Sequence, residues 1–217
     1  MDDSEIIIKI DRLTKSFKKV TVIENLTHNF KAGERIALVG QNGAGKTTLI
    51  RCILGLYKYN GIIDVLGMNP RKERETILQN IGFVPQIPPP IKMTVEEMLE
   101  FFGKLTNTDK QEFIDISENL GLDVQSNLKK PFMKLSGGMK QKLLVSFALG
   151  RKPKILLMDE PAANLDPKAR TILFDYLNKF DKNALMIISS HRIDEVENLV
   201  NRLIEMDMGK IVVNKEV

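Results

Sequence analysis

The residues best equipped for chemistry begin at Gly40-Gln41-Asn42-Gly43-Ala44-Gly45-Lys46-Thr47, a Gly-x-x-x-x-Gly-Lys-Thr spacing continued by Thr48. Glycines so placed let a backbone turn tightly, so that its N–H groups and a following helix N-terminus face phosphate oxygens. Lys46 adds a full positive charge near the β- and γ-phosphates of a nucleotide, and the Thr47 hydroxyl is a ligand for Mg2+. A second group is the pair Asp159-Glu160, which closes the apolar run Ile155-Leu156-Leu157-Met158. Asp159 is expected to hold Mg2+ through water, and Glu160, pointing elsewhere, to polarise the attacking water as a base. A solvated strand end could carry the same two carboxylates; the preceding apolar run and the glycine loop favour catalysis. His191 follows another apolar run, Ala184-Leu185-Met186-Ile187-Ile188. Its imidazole there could hydrogen-bond a γ-phosphate and keep water in line. The chain's other histidine, His28, is read as structural or surface. Leu135-Ser136-Gly137-Gly138 offers an N-cap serine and bare glycines at a helix start, where a ligand can approach closely.

These groups need elements to hold them. Arg35-Ile36-Ala37-Leu38-Val39 reads as a buried strand before the glycine loop, and Thr48 to Leu54 as the helix after it, the context this spacing requires. Lys142 to Leu149 reads as a second helix. After Gly40, strand-like runs alternate with helical patterns, which argues for a parallel sheet with helices on both faces. Glu5 to Asp11 and Val20 to Ile23 look instead like antiparallel strands with Phe17 between them. Thr94 and Glu97 have capping-box spacing and mark a helix start. Gln86 precedes Ile87-Pro88-Pro89-Pro90, a stiff extended connection for which a plain proline-rich linker is the bland alternative.

Taken in order, these motifs strongly resemble the ATP-binding subunits of ABC (ATP-binding cassette) transporters over nearly the whole chain. The resemblance makes Gly40 to Thr47 the Walker A loop, Gln86 the Q-loop glutamine, and Leu135 to Gln141 the signature. Ile155 to Glu160 becomes Walker B, Ala163-Asn164-Leu165-Asp166 the D-loop, and His191 the switch histidine. Phe17 stands where the family places an aromatic that stacks on adenine. The implied cofactors are ATP and Mg2+, the metal being held by Thr47, Gln86 and Asp159. The implied catalytic set is Glu160, His191, Lys46 and Gln86. Nucleotide contacts fall on Phe17, Gly40 to Thr48, Ser136, Gly137, Gly138 and Asp166. The implied fold class is α/β: a P-loop NTPase core with a mostly parallel sheet, an N-terminal antiparallel β part and a helical subdomain between Q-loop and signature. The single domain 1–217 would comprise a core of 1–86 and 135–217 around a helical subdomain at 87–134, with no appended regulatory domain. By the same resemblance two copies sandwich ATP head to tail, and their opening and closing drive an integral membrane permease. The partner's coupling helix is expected to meet a groove near the three prolines. Met139 departs from the family's usual glutamine, and Ala162 and Ala163 from its frequent hydroxyl residues; neither change removes a group needed for hydrolysis.

Composition narrows the setting. Thirty-two Lys and Arg against 28 Asp and Glu give a formal charge of +4, and no basic run is interleaved with aromatics, so nucleic acid is not an expected partner. No apolar stretch approaches the roughly 18–20 residues a membrane span needs, and no signal peptide is evident. The one cysteine, Cys52, cannot form an internal disulfide and is read as a small buried apolar residue rather than a redox switch. Met158 and Met186 belong to core strands, and none of the ten methionines has ligand spacing. The expected location is the cytoplasm, peripheral on the inner face of the cell membrane. Within the family, Phe83-Val84-Pro85-Gln86 with its prolines, and Ser190 to Val196, are similar to NosF-type ATPases. These serve copper-site maturation of nitrous oxide reductase, which would add a periplasmic copper-handling partner. Generic multidrug, sodium or haem-related export is the alternative; a soluble cassette ATPase acting on DNA or ribosomes is the more distant one.

Overall fold

Ile8 and Ile10, and Leu13 beyond a register shift, are fully buried along the N-terminal segment, which the chain uses in a long strand. A computed structural model describes residues 5–217. In chain order it begins with β1 (Ile6–Phe17), β2 (Val20–Lys31), β3 (Arg35–Val39), α1 (Lys46–Ile53), β4 (Asn60–Val65) and α2 (Arg74–Leu78). Then come β5 (Ile81–Val84), α3 (Val95–Thr106), α4 (Lys110–Asn119), α5 (Gly137–Gly150) and β6 (Ile155–Asp159). The chain closes with α6 (Pro167–Lys179), β7 (Leu185–Ser189), β8 (Arg202–Asp207) and β9 (Lys210–Glu216). Contacts divide these elements into two units, and the chain passes between them four times.

The first unit runs to Ile81 and adds residues 154–159 and 182–217. It holds an antiparallel sheet ordered β2-β1-β4, and a second sheet in which β6-β7-β3-β8-β9 are neighbours. In the second sheet β6, β7, β3 and β8 are parallel, and β9 returns antiparallel to β8. β3, β6 and β7 are buried along their whole length, as strands covered on both faces must be, whereas β8 buries only Leu203, Ile204 and Met206. Register places Asp159 on β6 opposite Ser189 on β7. The antiparallel part is larger than the sequence suggests: β1 and β2 each extend to 12 residues, and His28 lies inside β2 opposite Ile10.

The second unit comprises residues 82–153 and 160–181, and residues 87–134, expected as a helical subdomain, lie inside it. Its core joins Val95, Met98, Phe113, Phe132, Leu143 and Phe147, with Phe147 stacked on Phe102 at 4.4 Å. The Thr94 hydroxyl accepts from Glu97 N at 3.2 Å while the Glu97 carboxylate accepts from Thr94 N at 2.7 Å, so the capping box starts α3. Every residue of α5 from Gln141 to Gly150 is buried, which explains why this helix carries no amphipathic pattern. Met139 packs against the same apolar core, a use a glutamine there would not serve. Among the described residues no helix is long and apolar enough to cross a membrane.

Candidate functional site

In the first unit, β3 delivers the chain into the glycine loop and α1 leaves it. Gly40 has φ +142, and a Cβ on it would lie 2.2 Å from the Met206 carbonyl oxygen, so only glycine fits against β8. Gly45, at φ +107, forms the left-handed N-cap of α1 without a side-chain cap, leaving the first N–H groups of the helix unclaimed by one. The Gly209 N–H donates to Ala44 O at 3.1 Å, so the turn between β8 and β9 braces the loop from below. Gln41, Asn42 and Gly43 form its exposed crest, Ala44 and Gly45 are buried, and Thr48 is half-buried on α1. The Lys46 ammonium curls back to donate to Gly40 O at 2.6 Å and Gln41 O at 3.2 Å. Those bonds engage two of its three protons and hold its charge over the loop.

The carboxylate that ends β6 meets this loop through hydrogen bonds. The Thr47 hydroxyl donates to Asp159 Oδ2 at 2.8 Å, and the Ser189 hydroxyl donates to Asp159 Oδ1 at 2.6 Å. Asp159 is buried, and among the described residues both of its hydrogen-bond donors are neutral hydroxyls. A buried carboxylate so placed gains from a cation, and the oxygens of Asp159 and Thr47 are the hard ligands Mg2+ takes. Among the described residues no cluster of three His, Cys, Asp or Glu could hold a metal alone. Ser189 carries no motif signal of its own; it was discoverable only as the residue that parallel pairing sets opposite Asp159.

His191 lies two residues beyond Ser189, exposed, at the mouth of β7. Its turn is fixed by Arg192, which pairs with Asp194 at 3.0 Å and Glu195 at 2.9 Å, and by the Ser190 hydroxyl accepting from Arg192 N at 3.0 Å. Phe17 closes β1 with 40% of its surface exposed. Tyr57 meets it edge-on at 5.1 Å, and Lys15 Nζ stands 4.3 Å from the ring centre. Arg51 of α1 donates to the Tyr57 hydroxyl at 2.7 Å, tying the aromatic pair to the helix that begins at Lys46. The sequence reading named Phe17 but neither Tyr57 nor Lys15. Cys52, also on α1, is buried, and burial pushes its thiol pKa up to about 11.

The second unit carries the other motif residues. Ser136 is the N-cap of α5, its hydroxyl accepting from Met139 N at 3.2 Å, and Ser136 and Gly137 are exposed. Gly137 has open space around it, whereas a Cβ on Gly138 would meet Asn164 O at 2.9 Å. Gln86 is exposed on the extended stretch after β5. Glu160 is buried and has φ +51, a left-handed backbone uncommon for a residue that carries a Cβ. Asp166 caps α6, accepting from Ala169 N at 2.9 Å, and accepts from Lys142 Nζ at 2.9 Å. Those bonds, the backbone one foremost, hold its carboxyl below the usual carboxylate range. Its carboxylate is therefore already engaged within the chain, a use the sequence reading did not foresee.

Comparison with known proteins gives a consistent answer. A family model described as "ABC transporter" matches residues 23–163. The linearmycin resistance ATP-binding protein LnrL of Bacillus subtilis (strain 168) is 34% identical over 212 residues, covering 94% of this chain and 68% of the relative. The bacitracin transport ATP-binding protein BcrA of Bacillus licheniformis is 37% identical over 212 residues, covering 95% of this chain and 68% of the relative. Among solved structures, an ATP-binding subunit of an ABC transporter superposes with a TM-score of 0.86 at 26% identity, covering 97% of this chain and 90% of that one.

Proposed function

The chain belongs to the ABC transporter ATP-binding family and is an ATPase that uses ATP and Mg2+; from that premise we propose that it works as a head-to-tail homodimer energising a separate membrane permease. The observation that carries most weight is the 2.8 Å bond from Thr47 to the buried Asp159, which joins the Walker A and Walker B residues at the head of α1. Bound there, Mg2+ would offset charge developing on the phosphates. Lys46 and the loop N–H groups bind and orient the β- and γ-phosphates, and the face of Phe17 receives the base. Glu160 takes the proton of the attacking water, while His191 and Gln86 keep that water in line with the γ-phosphate. The exposed Ser136-Gly137 start of α5 supplies donors to the γ-phosphate held by the opposite copy, so that hydrolysis removes the bridge and frees the dimer to open.

Replacing Glu160 with Gln tests this directly. ATP should still bind, turnover should fall at least ~10²-fold, and an ATP-bound dimer should accumulate in size-exclusion chromatography with light scattering. Near-normal turnover would sink the role given to Glu160. The names of the two relatives, one for linearmycin resistance and one for bacitracin transport, support a transporter subunit, and we place it on the inner face of the cell membrane, serving export. The narrower copper-maturation reading, with a periplasmic copper-handling partner, rests on Phe83 to Gln86 and Ser190 to Val196 alone. Pull-down of wild type and Glu160→Gln from solubilised membranes with ATP separates the two by naming the permease. A copper-replete nitrous oxide reductase in cells lacking this chain would rule the narrower reading out.

A further inference from the structure

Lys142 is a charged side chain on a helix buried from Gln141 to Gly150, with only 11% of its side chain exposed. Its ammonium donates to Asp166 Oδ2 at 2.9 Å and to Gly121 O at 3.4 Å, so one nitrogen touches the end of α4, the middle of α5 and the cap of α6. Two neighbours of Lys142 on α5 point to the same segment. A Cβ on Gly138 would lie 2.9 Å from Asn164 O, and the buried Gln141 amide donates to Pro161 O at 3.1 Å. Three residues within little more than one turn of α5 thus grip residues 161–166 at both ends and in the middle, by close backbone approach, a hydrogen bond and an ion pair. Burying a lysine costs free energy unless it is paired, which makes this nitrogen a poor choice for simple packing and a good one for fixing a geometry.

We propose that Lys142 is a positioning residue, clamping the segment 161–166 to α5 so that the signature serine and glycines and the D-loop move as one piece. The proposal rests on the reading of the chain as an ATPase that closes head to tail. Loss of the clamp lets the segment between Glu160 and α6 drift relative to Ser136, which misaligns two parts that must engage the opposite copy together. Lysine acts here through Asp166 and does not touch the nucleotide.

Hydrogen exchange on the full-length chain, read beside steady-state ATPase kinetics and thermal melting, tests it. Asp166→Asn is the variant safest for folding, because asparagine caps a helix as well as aspartate but lacks the charge that Lys142 needs. In Asp166→Asn and in Lys142→Met, amides of 161–166 and the first turn of α6 should exchange at least about tenfold faster. In both variants kcat should fall roughly tenfold, and in Lys142→Met affinity for an ATP analogue should stay within about twofold of wild type. The double variant should be no worse than either single one, and Lys142→Arg should restore most of both losses. Unchanged exchange in Lys142→Met and Asp166→Asn, additive losses, or an Arg variant as impaired as Met would overturn the clamp. The exchange arm needs no turnover, so a wild-type chain without ATPase activity would count against the proposed function while exchange still decides the clamp.

Discussion

Gly40 and Gly43 both have positive φ in one loop, yet the structure assigns them different costs on gaining a methyl group. At Gly43, φ is +88 and an added Cβ meets nothing within 4 Å, so Gly43→Ala carries backbone strain alone, about 1–2 kcal/mol. At Gly40 an added Cβ would lie 2.2 Å from Met206 O and 3.2 Å from Ala44 Cβ. Restoring ordinary contact needs a backbone shift of about 1 Å, which adds an overpacking cost of about 1–3 kcal/mol to the strain. For a chain of this size each kcal/mol moves Tm by about 2–4 °C. Gly43→Ala should therefore melt about 2–8 °C below wild type without nucleotide, and Gly40→Ala lower again by a similar interval. The same shift displaces the N–H groups that face phosphate, so Gly40→Ala should also bind an ATP analogue roughly 10²-fold more weakly. Differential scanning fluorimetry and isothermal titration read the two effects. Equal melting of the two variants, or tight analogue binding by Gly40→Ala, would refute the argument that β8 sets the shape of the loop.

Two further predictions concern groups outside the chemistry. His28 has a buried Nε2 without a hydrogen-bond partner, and its pKa is lowered by burial first and by the Arg202 charge second. The unfolded chain then binds the proton more readily, so stability present above the ordinary histidine pKa of about 6.5 is lost as pH falls below it. Melting followed from pH 7.5 to 5.5 should show a smaller loss in His28→Phe than in wild type; parallel curves would refute this. The Cys52 thiol, with its pKa raised to about 11 by burial, is almost wholly protonated at pH 8. A disulfide reagent at that pH should label it about 10²-fold more slowly in the native chain than after unfolding in urea, and equal rates would contradict its burial.

How legible this protein is depends on the distance over which each feature is encoded. The glycine loop, its flanking strand and helix, the capping box at Thr94 and the N-cap at Ser136 are local, and each is readable within a few residues. The apolar runs at 155–158 and 184–188 announce strands, but only parallel pairing sets Ser189 opposite Asp159. Short apolar stretches at Glu5 to Asp11 and Val20 to Ile23 understate β1 and β2, because polar residues on their exposed faces interrupt the pattern. Lys142 and Gly209 were invisible for the same reason: the value of each lies in a partner far along the chain, Asp166 for one and the Ala44 carbonyl for the other.

The bracing of the glycine loop by β8 and the turn at Gly209 has a consequence for how the chain comes into being. A ribosome releases Gly40 to Thr47 early, at a pace of about 5–20 residues per second, but the strand whose Met206 carbonyl lies against Gly40 emerges only after most of the chain has been made. Until then β3 also lacks its neighbours β7 and β8, and the early segments cannot complete the sheet that fixes the loop. The phosphate cradle, first in the sequence to be recognisable, is thus among the last parts of the molecule to take its final shape. A nascent or truncated chain that stops short of Met206 is left with the motif but without the wall that gives it form.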